Sequence, residues 1–131
     1  MSTTPEPEDP RAAEVGWFHD LAEDVAGGRA KIDSAVRARL AHFLEVFLPE
    51  HLLEGDETEQ ELEDIIRDVR KNEIAWNRAL GKAILDAHDA FEAGDASRAV
   101  GVLEEFARGC PWTWFAEMAL NQSTHYPGGT Q

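Results

Sequence analysis

The sequence predicts an all-α protein, a single-domain helical bundle of about five helices with one long central helix. Three observations carry that prediction. Apolar residues recur at steps of three and four along nearly the whole chain, the spacing of one helix face. Alternating runs of β-branched residues, the mark of strands, are absent. Glycine and proline interrupt the pattern at a few points, chiefly Gly27-Gly28, Pro49, Gly94 and Pro111, which divide it into helix-sized pieces.

Residues 1–10 hold three prolines and three acids, the composition of a disordered acidic arm. The bundle is expected over 11–122. Residues 123–131, with Pro127-Gly128-Gly129 and little to bury, read as a flexible tail. The first helix follows Pro10, buries Val15, Phe18, Ala22 and Val25, and stops at Gly27-Gly28. A second runs from Arg29 or Lys31 to Leu48, with Ile32, Val36, Leu40, Phe43 and Phe47 on its apolar stripe. Pro49 ends it by pushing the preceding residue out of the helical region.

From Glu57 to Ala93 there is no proline, and the only glycine is Gly81. Leu62, Ile66, Val69, Glu73, Trp76, Leu80, Ala83, Ala87 and Phe91 follow a near-heptad spacing. An unbroken helix here would be roughly 54 Å long, against a diameter of roughly 36 Å for a compact domain of this size. The mismatch predicts a bend or break near Gly81 or Asn72, or else a projection into a partner such as a second copy. Asp95 is the expected N-cap of a fourth helix with Ala99, Val102, Leu103 and Phe106, ending at Gly109. A short fifth helix spans Trp112–Asn121.

Ala99, Leu103, Phe106 and Pro111 resemble the second helix of a tetratricopeptide unit, and Leu80-Gly81 resembles its first. About six residues too many separate the two halves, and no second copy of the unit follows. The resemblance covers about 30 residues and implies helical-hairpin packing.

Composition narrows the function mostly by exclusion. The chain has 131 residues, with 26 acids against 12 lysines and arginines, for a net charge of −14. Folding a chain of this size removes roughly 14,000 Å² from water, enough for a core without disulfides. The single cysteine permits neither an internal disulfide nor a multi-thiolate zinc site. Strong acidity argues against direct nucleic-acid binding or adhesion to an anionic membrane. With no 18-residue apolar run and an acidic start, MSTTPEPEDP, the expected location is cytoplasmic.

Several constellations could carry chemistry. His19/Glu23, His42/Glu45, His51/Glu54 and His88/Glu92 sit three or four residues apart, but the Glu-x-x-His spacing of a bundle di-iron site does not occur. No cofactor is expected. Cys110, at a helix C-terminus where the dipole raises a thiol pKa, reads as a packed small hydrophobe. Glu73 is the one polar residue on the long apolar stripe. It is either an edge position paired to Arg70 or Arg78, or a buried functional carboxylate.

The richest signal is acidic. Glu54, Asp56, Glu57, Glu59, Glu61, Glu63 and Asp64 place seven acids within eleven residues, and Arg67, Arg70, Lys71, Arg78 and Lys82 follow. The first field would steer a basic partner, and the pairing of the two would suit an antiparallel homodimer through the long helix. Trp112, Phe115 and Ala119 share one helical face. Trp114 lies roughly 60–160° away, beside Met118, and is the expected anchor, at least partly exposed.

The expected function is therefore a non-enzymatic protein–protein interaction module: an acidic adaptor, immunity-type inhibitor or assembly chaperone for a protein with a basic surface. Its partner-binding candidates are Glu57, Glu59, Glu61, Glu63, Trp114 and Met118. The alternatives are a bundle holding a metal or small ligand through Glu73 and histidines, and an acidic mimic of nucleic acid.

Overall fold

The computed structural model of the chain describes residues 10–126, and within them five α-helices and no strand. The expected arm falls outside these residues except for Pro10, and so does the expected tail beyond Tyr126. Helix α1 (Pro10–Ala26) begins on proline, whose missing N–H would have no partner in a first turn. At its end Gly28 adopts φ 71°, a conformation that favours glycine. That turn brings Gly28 N–H onto Val25 O and Arg29 N–H onto Asp24 O at 3.2 and 2.8 Å, closing the helix.

Helix α2 (Ser34–Phe47) starts later than the apolar spacing suggested. Asp33 is its N-cap, accepting from Val36 N–H at 2.9 Å, so the chain before it stays non-helical and Ile32 packs from outside the helix. Helix α3 (Glu59–Glu92) opens with a capping box: Thr58 accepts from Glu61 N–H at 3.1 Å, and Glu61 accepts from Thr58 N–H at 3.0 Å.

Helix α3 corrects the expectation of a break. Its 34 residues pass without interruption through Asn72 and Gly81, a length of roughly 51 Å at 1.5 Å per residue. Gly81 keeps its backbone N–H, so it weakens the ladder without removing a bond from it, unlike a proline. The size argument presumed a spherical domain. Here Gly94, at φ 88°, reverses the chain, and helix α4 (Ala96–Gly109) folds back along α3 as a hairpin. Ala83, Ala87 and Ala90 are buried on the stripe of α3, while Trp76 meets Phe106 of α4 edge-on at 5.8 Å. Ala90 is buried where Phe91 was expected, and Phe91 is 39% exposed. An α-helix drifts away from a strict heptad register over this many turns.

Asp95 caps α4 as expected, accepting from Arg98 N–H at 2.9 Å. At the other end Gly109 remains helical, with no left-handed residue. Cys110 is extended instead (φ −86°, ψ 122°), as a residue before proline must be. Helix α5 (Thr113–Ser123) runs past Asn121, Ser123 is buried, and Tyr126 packs on Phe91 at 5.2 Å.

The core is an aromatic spine joining α1, α2 and the start of α5. Phe18 stacks on Phe43 at 4.5 Å, Phe43 meets Phe47 at 4.7 Å, and Trp112 approaches both Phe43 and Phe115. Burying each such ring contributes roughly 1.5–3 kcal/mol. Helix α5 packs along α4. Trp112 also reaches α2 through Phe43 and α3 through Asn72. Among the described residues no helix is long and apolar enough to cross a membrane.

Candidate functional site

The acidic stretch divides into carboxylates that build the fold and carboxylates that face outward. Glu57 belongs to the first group. Its carboxylate accepts from the backbone N–H of Glu54 at 2.6 Å and of Gly55 at 3.0 Å, with Arg37 a further 3.6 Å away. Arg37 also donates to Glu57 O at 2.6 Å. The hydrogen bond from Glu54 N–H, with the other backbone donors and Arg37, holds the Glu57 carboxyl below the usual glutamate range. Glu57 staples the connection between α2 and α3. Glu61 closes the capping box, and Glu63 lies 3.8 Å from Arg67, which also takes Asp64 at 3.1 Å. Of the four glutamates expected to meet a partner, only Glu59 is exposed without an internal bond.

The stapled connection creates a groove that the sequence reading missed. Leu52, Leu53 and Ile65 form its apolar floor, and Glu54, Glu57, Glu61 and Asp68 stand around it. It encloses about 470 Å³, and among the described residues His51 lines it but no lysine or arginine does. Leu52 is 57% exposed, and with Leu53 and Ile65 it gives the groove an apolar surface among the acids. The signal was available in the sequence: two leucines in a polar connection between Pro49 and Gly55, with no helix stripe to absorb them. Glu57 is already answered by Arg37, so Glu54, Glu61 and Asp68 set the field there.

Trp114 and Met118 lie elsewhere, lining a cleft between α1, α3 and α5. Trp114 is half-buried, edge-on to Phe47 at 5.8 Å, and the Arg11 guanidinium sits over its ring at 4.9 Å. Met118 is 37% exposed. Glu61 and Arg70, Ile65 and Ile74, and Asp68 and Asn77 are each nine residues apart on α3, about two and a half turns. The acidic groove and this cleft therefore occupy opposite sides of the helix. The acidic and aromatic candidates do not form one site.

At the floor of the cleft Glu73 is buried, and its side chain is fully engaged. Arg70 Nη1 donates to Oε1 at 2.7 Å, and His19 Nε2 lies 2.7 Å from Oε2. Arg70 Nη1 is also 3.2 Å from His19 Nε2. One ring nitrogen cannot donate to the carboxylate and accept from the guanidinium at once. The shorter approach assigns the proton to Nε2, which donates to Glu73. Pairing with Arg70 and burial were each foreseen, as alternatives; their combination, and the arrival of His19 from α1, were not.

Cys110 is half-buried, and burial raises its thiol pKa, with no call on the helix dipole. Its Sγ lies 3.6 Å from Trp112 O. Among the described residues no three His, Cys, Asp or Glu side chains converge to hold a metal ion. Compared with protein-family models, curated proteins and solved structures, the chain matches none.

Proposed function

We propose that this chain is a non-enzymatic interaction module that receives a basic, aliphatic-bearing segment of a partner protein in the groove between the α2–α3 connection and the first half of α3. The observation that carries this reading is the groove itself: an apolar floor with exposed Leu52, a rim of Glu54, Glu61 and Asp68, and, among the described residues, His51 as the only basic side chain in its lining. A leucine-sized side chain would bury against Leu52, Leu53 and Ile65 while flanking lysines or arginines meet the rim. The apolar contact supplies affinity. The carboxylates supply orientation and speed of encounter, and their effect weakens with salt.

The test is titration of the full chain with a synthetic peptide of alternating arginine and leucine, against an equally long peptide in which glutamate replaces arginine. The basic peptide should bind saturably and lose affinity with salt. Leu52→Asp, and the combined change Glu54→Gln, Glu61→Gln and Asp68→Asn, should each weaken it by about tenfold or more. Glu57 stays untouched, because its carboxylate holds the connection that walls the groove. Equal binding of the two peptides, or indifference to both variants, would remove this reading.

A further inference from the structure

The cleft between α1, α3 and α5 has an electrostatic character opposite to that of the chain as a whole. We propose that it is a binding site for a small organic acid, an apolar body bearing one carboxylate, distinct from the acidic groove and independent of its role. Among the described residues its only carboxylate is Glu73, already engaged by Arg70 and His19, and the guanidinium groups of the lining outnumber it. Two guanidinium groups, Arg70 and Arg78, share the lining two turns apart on α3. Arg70 spends only Nη1 on its neighbours. Its Nε and Nη2 have no hydrogen bond, and Arg78 has no ion pair, among the described residues. Unspent planar donors match the oxygens of a carboxylate.

Apart from Asn77, the remaining walls are apolar. Val15, Ile74, Trp114, Phe115 and Met118 line the space, and Ile74 and Met118 are 38% and 37% exposed. The cleft encloses about 350 Å³, near the lower end of the roughly 300–1,000 Å³ usual for small-molecule sites. A ring or short alkyl chain would lie against Trp114, Ile74 and Met118, with its carboxylate at the mouth between the two guanidinium groups. Glu73 and His19 act as positioning residues: they hold Arg70 by one nitrogen and leave its Nε and Nη2 unspent.

The experiment is an NMR titration of the full chain with 4-phenylbutyrate, and in parallel with 4-phenylbutanol, which has the same apolar body without the charge. The acid should bind saturably with Kd below about 1 mM, as a fragment of this size can. It should shift the Trp114 indole and Met118 methyl signals, and bind about tenfold more tightly than the alcohol. Arg78→Gln, a change at an exposed helical position, should cut the preference for the acid severalfold, with Arg70 alone left to hold the carboxylate, and leave the alcohol unchanged. Equal binding of acid and alcohol to the natural chain would overturn the proposal whatever the variant does. So would saturable shifts confined to other parts of the molecule, or an Arg78→Gln protein of normal helix content that prefers the acid as strongly as the natural chain does.

Discussion

Trp112 Nε1–H donates to Asn72 Oδ1 at 2.7 Å, tying the start of α5 to the middle of α3. Asn72 is where the sequence suggested that the long helix would give way. Instead its side chain is the partner of an indole that is only 1% exposed. Asn72→Ala leaves that buried N–H without an acceptor and should cost roughly 1–3 kcal/mol. Trp112→Ala, which also empties the aromatic spine, should cost roughly 3–5 kcal/mol. Urea unfolding of both variants and of the double variant checks this. Strict additivity would mean that the two residues do not act together.

Gly81 offers the converse test. A Cβ built there meets nothing within 4 Å, and the surrounding backbone is helical. Gly81→Ala should therefore stabilise the protein by up to about 1 kcal/mol, through a less disordered unfolded chain. A lower midpoint in urea would show that the glycine relieves a strain in α3.

The pH dependence of the α2–α3 connection follows from Glu57. Its folded-state pKa is lowered, with the hydrogen bond from Glu54 N–H the largest cause. A group depressed in this way contributes stability above its unfolded pKa and loses it as pH falls through the folded value. Protection of the Glu54 and Gly55 amides from hydrogen exchange should accordingly persist at neutral pH and disappear only below the ordinary glutamate range. Glu57→Gln should lose part of that protection at neutral pH while α3 stays folded on its Thr58–Glu61 cap. Unaltered exchange in the variant would show that the carboxylate does not hold the loop.

Trp114 was expected to be separable from stability, and its surroundings argue otherwise. Its ring meets Phe47 and carries Arg11 above it. An aromatic pair and a partly exposed cation–π contact are each worth about 0.5–1.5 kcal/mol beyond buried area. Trp114→Ala should then cost on the order of 2 kcal/mol, while Met118→Ala should change stability far less. A melting temperature insensitive to Trp114→Ala would mean that these contacts are absent in solution.

Helix boundaries set by local chemistry could be read directly from residues. Asp95 caps α4, Pro49 and Gly28 lie just beyond helix ends, and the apolar stripe of α3 is buried almost as spaced, because each depends on neighbours within a turn. The Thr58–Glu61 capping box was equally readable and was submerged in the excess of acids. Continuity of α3 was not legible, since it depends on α4 folding back along it and on Trp112 arriving at Asn72 from 40 residues away. The division of the acids was not legible for the same reason. Composition counts Glu57 and Glu59 alike, yet only folding brings two backbone N–H groups and Arg37 to one carboxylate and leaves the other in water. His19 and Glu73 are 54 residues apart in sequence, and their hydrogen bond exists only because α1 lies across α3. Spacing along the chain specifies which face of a helix a residue occupies. Which groups then share a cleft depends on how the helices cross, and that is a property of packing.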